Sequence, residues 1–552
     1  MRYLNFIFLF MLTVFVQSCT ASSKSAEDIN LRINQVGYIP GKIKFGMVFA
    51  KREIDSKRYK IIDSKTKKEV FEGEVTDNLG AWGKFDYHYR IDFTSFDQPG
   101  HYFIEMGGKH SYTFRISKDV YASVADSLIE FLQVQRCGAT NPRLHKICHI
   151  YDSPIVAGDS TVQGVDVTGG WHDAGDYLKF LNTSCYTTYM LLLSYELNTA
   201  KANFDDNKNG EPDMLEEARV GLDWLLRCNY ANTSLINQVQ DMRDHEFGWR
   251  LPENDTLKYD RPAYKGMGKN LIGMYSATLA LASRIWRVRF HDDAFANKLL
   301  AEALKFYAIR NSVPDLDQTN SGMYMDRTYY SKLALGAIEL YNATGNNGYI
   351  NEARGLMDRA GSDYWWSWGD INALAHFRLA QYYPEYGNYI LNNLNSFNNN
   401  KNSNLYNQGT AFTWGTTHTL LGVVFQAMLW SQLNNSHQFD SLIVTQLDYI
   451  FGKNPWGLSF VYQFGTNYTK HFHSQVAYFN KGYLPGAIAA GPAPKSILDN
   501  YKINREEKRL SEFNSDDVLY FDDRMDYITN EPTIVTNATA LFVFTNKFIL
   551  GE

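Results

Sequence analysis

The chain has 552 residues, 45% hydrophobic and 21% charged, which leaves room for a large core in more than one domain. A net charge of −6 and the lack of any long Lys/Arg run exclude the basic stripe of a nucleic-acid binder. The 37 Tyr, 34 Phe and 11 Trp fill core, and they also offer flat apolar faces with polar edges that suit the C–H surface of a sugar ring.

Met1 and Arg2 open a short apolar stretch that ends at Val16-Gln17-Ser18-Cys19. It is too short for a comfortable span and resembles a bacterial lipoprotein signal, in which cleavage leaves Cys19 as a lipidated N-terminus. An ordinary secretory signal with an incidental Cys is the alternative. Residues 20–30 read as a polar tether. The expected product is an exported monomer held by lipid in the cell envelope, at the outer membrane, facing the periplasm or the surface.

Residues 31–117 alternate apolar and polar positions in short runs, as at 59–62, 87–93, 101–106 and 111–116, with Pro99-Gly100 as a turn. This pattern predicts a small β-sandwich. From about Val120 the apolar spacing changes to three and four, over 121–135, 186–197, 214–228, 273–286, 332–341, 417–433 and 439–451. Residues 118–552 are therefore predicted all-helical, too long for a simple bundle, and a ring of inner and outer helices fits. No fixed-length repeat points to a solenoid.

Three motifs carry the chemistry. The first is Gly169-Gly170-Trp171-His172-Asp173-Ala174-Gly175-Asp176, a tight loop whose glycines allow unusual backbone conformations. Its two carboxylates can share a water, one as base and one orienting it, although a bare Asp pair also serves in turns. The second is Asn454-Pro455-Trp456-Gly457 through Phe464-Gly465 to His473, followed by residues 485–492. The third spans Tyr520 to Ala538 and crowds Asp522, Asp523, Asp526 and Glu531 among aromatics, ahead of the apolar run 540–544. Such crowding points to one carboxyl kept protonated while others stay charged, or else to a solvated acidic turn before a last core helix.

In this order the motifs resemble the family 9 glycoside hydrolases, chiefly endo-acting β-1,4-glucanases, from residue 31 to the end. The resemblance implies an N-terminal immunoglobulin-like β-sandwich, residues 31–117, followed by an all-α (α/α)6 barrel, residues 118–552. It implies an inverting mechanism, with carboxyls about 6.5–9.5 Å apart around a water. By motif position Asp176 matches the base, Asp173 its helper on the same water, and Glu531 the acid. Asp522 falls on the Asp of the C-terminal motif and His473 on the first His of the middle block. The implied partner is a β-glucan, cellulose-like, mixed-linkage or xyloglucan.

One departure stands out. Where the family has His-His-Arg, this chain has His473-Ser474-Gln475. The missing Arg, a rigid bidentate donor, opens two alternatives: an exo-acting glucosidase or glucosaminidase, or a carbohydrate-binding surface protein with weakened activity. Lys470 and Arg524 are nearby charges. Trp365, Trp366, Trp368 and Trp414, in Gly-rich loops, are stacking candidates or core, and Tyr527 is a further substrate-binding candidate.

Two metal sites are expected and no organic cofactor. Cys137, Cys148, His149 and His172 form a closed tetrahedral zinc set, with a Cys137–Cys148 disulfide as the alternative in an exported protein. The immunoglobulin-bearing branch of the family has a structural zinc with such ligands, so the resemblance favours zinc. Cys185 and Cys228 read as core thiols. Asp205, Asn207, Asn209, Glu211, Asp213 and Glu216 follow EF-hand calcium spacing around Gly210, although Asp213 and Glu216 would equally suit an acidic helix start after Pro212.

Overall fold

A computed structural model describes residues 28–152, 165–257, 261–317 and 323–548. The signal sequence, with Cys19, and most of the tether lie outside the described residues. Among those described, no helix is long and apolar enough to cross a membrane.

Among the described residues nine strands come first: β1 Ile29–Arg32, β2 Gly37–Tyr38, β3 Phe45–Ala50, β4 Arg58–Asp63, β5 Glu69–Glu74, β6 Tyr87–Asp92, β7 Gly100–Met106, β8 Lys109–His110 and β9 Phe114–Ile116. One sheet runs β1-β3-β6 and the other β2-β9-β7-β4-β5, with β8 on β7. The pairs are antiparallel except β2 with β9. The alternation seen in the sequence puts Leu31, Val48, Tyr89 and Ile91 of one sheet against Tyr59, Ile61, Ile104 and Phe114 of the other.

Twelve helices of nine residues or more follow among the described residues: α1 Val124–Gln135, α2 Leu181–Leu197, α3 Asp213–Arg227, α4 Lys269–Arg289, α5 Asp293–Ala308, α6 Tyr330–Thr344, α7 Asn347–Ala360, α8 Asn372–Ala380, α9 Gly387–Ser403, α10 Thr416–Asn434, α11 Asp440–Ile450 and α12 Ile534–Thr545. The even-numbered helices touch in a closed ring, α2-α4-α6-α8-α10-α12 and back to α2. Each odd-numbered helix lies outside one of them: α1 on α12, α3 on α2, α5 on α4, α7 on α6, α9 on α8, α11 on α10. The fold is an (α/α)6 barrel. Composition explains the layering. In α2 every residue from Leu181 to Tyr195 is buried, and in α12 every residue is. Outer α3 instead buries Met214, Leu215, Ala218, Leu222 and Leu225 while Arg219 pairs with Asp223 outside.

The sandwich braces the barrel. Arg32 Nε donates to the Pro455 carbonyl at 2.9 Å, with its guanidinium 4.7 Å over the Phe513 ring. The Gln35 side chain accepts from the backbone of Thr466 and Asn467 at 3.1 and 2.7 Å and donates to Gly457 at 3.0 Å. Trp82 Nε1 donates to the Phe513 carbonyl at 3.0 Å. Residues 455–467, which lead to His473, thus rest on the sandwich.

Candidate active site

The loop carrying Asp173 and Asp176 joins α1 to α2 and is tied at both ends. His172 N donates to Gln135 O and Cys137 N to Gly170 O, each at 2.8 Å, while the Asp173 carbonyl accepts from Ile534 N at the start of α12 at 3.0 Å. Asp173 is buried, and its two oxygens accept from the hydroxyls of Thr183 and Tyr324. Burial pushes its pKa up to about 7. With both oxygens engaged, Asp173 is a fixed group that holds rather than attacks.

Asp176 is different. Its Oδ2 lies 3.2 Å from His245 Nε2, and Leu178 N donates to Oδ1 at 3.2 Å. Burial pushes its pKa up, but the hydrogen bond and charge of His245 outweigh burial and hold it below the usual carboxylate range. The same pair raises His245 to about 9.

Glu531 enters from the C-terminal loop, and its Oε1 accepts from Gly175 N at 3.1 Å. Burial, then the charge of Asp176, pushes its pKa well above the usual range. One carboxyl is thus kept protonated beside one kept charged, and the cause is burial and the charge of Asp176. Gly175 sits between them because nothing larger fits: an added Cβ would lie 2.0 Å from the His473 carbonyl oxygen. We expect Gly175→Ala to displace this junction and lower kcat by ~100-fold with helical circular dichroism intact. An unchanged kcat would mean that the loop relaxes freely.

His473 Nδ1 lies 2.8 Å from the Arg524 carbonyl oxygen, which can only accept, so Nδ1 carries the hydrogen. Burial lowers its pKa, leaving a neutral ring with Nε2 as an acceptor. The ring meets Trp249 at 5.2 Å and Tyr527 at 5.6 Å, both edge to face. Gln475 does not replace the missing Arg. Its Oε1 accepts from Arg250 N at 3.0 Å and its backbone N donates to Gly175 O at 3.2 Å, so it serves as scaffold.

Two expectations need correction. Asp522 is not placed for catalysis: its Oδ1 accepts from the backbone of Lys470 and His471 at 3.1 and 3.0 Å, and its Oδ2 faces Arg509 at 3.3 Å. Asp523 likewise accepts from the backbone of Glu506 and Glu507, while Asp526 caps the turn Tyr527–Asn530 and pairs with Arg505. Three of the four crowded carboxylates therefore shape the loop and Glu531 alone meets the Asp loop. Trp366 is not a stacking surface either. It is fully buried, with Gly422 of α10 so close that an added Cβ would lie 2.1 Å from the indole. Trp368 packs on Tyr324 at 5.2 Å, beside Asp173, and Trp414 packs on Tyr527 at 5.8 Å and Tyr501 at 5.4 Å. Trp365 is half-buried, its carbonyl bound by Gln426 at 2.8 Å.

Behind the loop, the ligand atoms of Cys137, Cys148, His149 and His172 all lie within 4.8 Å of one another and are buried. Both cysteines are free thiols. His149 Nδ1 and His172 Nε2 stand 3.1 Å apart, and His149 Nε2 is held by Asp255 at 3.1 Å. A closed set of two sulfurs and two imidazoles, one oriented by an outer carboxylate, fits a tetrahedral zinc. At the acidic loop, the Asn207 and Asn209 amides converge on Glu216 at 2.7 and 2.5 Å, and the backbone of Asn209 and Gly210 on Asp205 at 3.1 and 2.8 Å. Asp213 accepts from Asp206 N at 3.0 Å, and Glu211 is exposed. The helix before this loop is a single turn, Thr199–Ala202.

The profile of glycosyl hydrolase family 9 matches residues 121–544, and that of the cellulase N-terminal immunoglobulin-like domain matches residues 26–111. The chain belongs to glycosyl hydrolase family 9. It is thus a glycoside hydrolase with an immunoglobulin-like sandwich ahead of its barrel. A cellodextrinase of Butyrivibrio fibrisolvens is 25% identical over 561 residues, covering 92% of this chain and 98% of that protein. A xyloglucan-specific endo-β-1,4-glucanase of Bacteroides ovatus is 24% identical, covering 98% and 97%. A metagenome-derived family 9 endoglucanase superposes with a TM-score of 0.81 at 26% identity, over 95% of this chain and 99% of that one.

Sequence reasoning missed four groups of this family 9 site: Thr183, His245, Trp249 and Tyr324. Each is a lone residue in its stretch, with no spacing signal. His245 controls the charge split. In His245→Asn we expect both limbs of the pH profile of kcat/KM to move up. Asp176, needed charged, would work above its pKa and lose the cation that depresses it; Glu531, needed protonated, would work below its pKa and lose the same lowering charge. An acid limb left in place would show that His245 does not set Asp176.

Proposed function

We propose that this enzyme hydrolyses β-1,4-linked glucan backbones with inversion at the anomeric carbon. The observation that carries the reading is two carboxyls brought together in unlike settings, Asp176 3.2 Å from His245 and Glu531 bonded at 3.1 Å to Gly175 N, which push their pKa values in opposite directions. Asp176, charged, takes a proton from a water that attacks the anomeric carbon. Glu531, protonated, gives its proton to the leaving oxygen, and exchange with solvent restores both groups. Asp173, gripped by Thr183 and Tyr324, orients the same water. The neutral His473 offers Nε2 to a sugar hydroxyl, while Trp368, Tyr527 and Trp414 supply ring faces. Relatives named for cellodextrins and xyloglucan support a β-1,4-glucan substrate.

Proton NMR of the first product tests the stereochemistry: the α-anomer must appear before mutarotation, and a β-anomer overturns inversion. Chain lengths released from cellulose-like, mixed-linkage and xyloglucan substrates decide the mode of attack. We expect mixed oligomers; a single sugar from the start favours the exo-acting reading, which rests on Gln475 being consumed as scaffold.

Zinc at Cys137, Cys148, His149 and His172 would cross-link the end of α1 to the catalytic loop, a structural rather than chemical contribution. Calcium at the Asp205–Glu216 loop and a lipid anchor at Cys19, placing the enzyme in the envelope, complete the proposal. Cys19→Ser should release the protein from the membrane fraction, and retention there would remove the anchor.

A further inference from the structure

Beside the catalytic cleft lies a cavity of about 430 Å³ that the hydrolytic steps do not use. Three cations line it, Lys470, Lys481 and Arg524, together with His471 and the rings of Tyr468 and Tyr478. No carboxylate is among its lining residues. Among the described residues none of the three cations is in an ion pair. Lys470 Nζ sits 5.4 Å over the Tyr468 ring, and the Arg524 guanidinium 5.2 Å over Tyr478. Of the acidic groups behind it, Asp522 is buried under the loop and engaged by His471 and Arg509, and Asp523 accepts from the backbone of Glu506, Glu507 and Met525.

Proximity to the reaction is direct. The Arg524 carbonyl fixes His473, and the Tyr478 ring meets Trp249 at 5.3 Å, which in turn meets His473 at 5.2 Å. The cavity is therefore one ring away from the group that faces the sugar. Its volume lies within the ~300–1,000 Å³ of small-molecule sites. Unpaired cations around aromatic walls complement an anion carried on a ring with an apolar face. A neutral hexose would leave the three charges unanswered, and an inorganic anion would leave the aromatic walls idle.

We propose that this cavity binds an acidic sugar residue, a hexuronate carried by the glucan, so that the enzyme prefers a carboxylated β-glucan over a neutral one. The preference rests on the β-glucan reading above; the pocket itself does not. In the cavity the carboxylate lies between Lys470 and Lys481, with the pyranose face against Tyr468 and Tyr478.

The test has two arms. By NMR titration, wild-type protein should bind glucuronate but not glucose, and Lys470→Gln/Lys481→Gln should lose glucuronate while keeping its melting temperature. Inorganic phosphate displacing glucuronate at equal concentration would mean a bare anion site and overturn the sugar assignment, as would glucuronate binding that survives the double substitution. By calorimetry on Glu531→Gln protein, a uronate-bearing β-1,4-gluco-oligosaccharide should bind about 10-fold tighter than its neutral counterpart. That difference should vanish in the double substitution and shrink with salt. Equal affinities refute the preference. Failure of both oligosaccharides to bind removes the β-glucan reading instead, and the glucuronate titration then decides the pocket alone.

Discussion

Glu531→Gln is expected to lower kcat on natural glucans by about 10³-fold, since general acid catalysis contributes some 10²–10⁴. Much of the loss should be recovered on a substrate with an activated aryl leaving group, which departs without a proton. Asp176→Asn should show no such recovery, because no leaving group replaces an activated water. The contrast follows from the separate environments of the two groups: burial and the neighbouring charge keep the proton on Glu531, and His245 keeps it off Asp176. Wild-type rates for Glu531→Gln on both substrates would reassign the acid.

Removing zinc is expected to cost stability and rate together. His172 immediately precedes Asp173, and its backbone N is bonded to Gln135 at the end of α1, so the metal set and the catalytic loop share one scaffold. A loop misplaced by about 1 Å can lose ~100-fold in rate, and unbinding a structural metal takes its binding energy out of the folded state. Cys148→Ser should therefore lower the melting temperature and leave weak activity even at saturating substrate. Chelator should reproduce the effect and mild reductant should not. One zinc per chain with free thiols is the expected elemental result; no zinc and a Cys137–Cys148 bridge would dismiss the site.

The parts of the fold and site that local spacing encodes were legible. The Asp173–Asp176 loop and the change from period two to period three or four near Val120 are short-range patterns, whereas the metal set, spread over residues 137–172, was favoured over a disulfide by the family resemblance. Helix α8 escaped the spacing test because nine residues are too few to show a period, and α12 surfaced only as the apolar run 540–544. Helices α5, α7 and α9 were also passed over; α9 is rich in Asn, a weak helix former held by its packing on α8 and α10. Four carboxylates within ten residues look alike in sequence. Their separation into one carboxyl at the Asp loop and three braces depends on backbone donors from residues 470–471 and 506–507 and on Arg505 and Arg509. Trp366 and Trp368 stand two positions apart, yet one is locked in the inner ring and the other beside Tyr324.

The seam formed by Arg32, Gln35 and Trp82 restricts how this architecture can change over evolutionary time. Gln35 reads the backbone of residues 457, 466 and 467, and Arg32 and Trp82 reach Pro455 and Phe513. A transplanted sandwich without counterparts of Arg32, Gln35 and Trp82 would leave these loops unheld unless the loops travelled with it. Chimeras cut at the domain boundary should therefore inherit a mispositioned His473, whereas chimeras that also exchange residues 455–467 should not. The unit of inheritance here is the sandwich plus the loop it holds, two stretches separated by more than three hundred residues of chain.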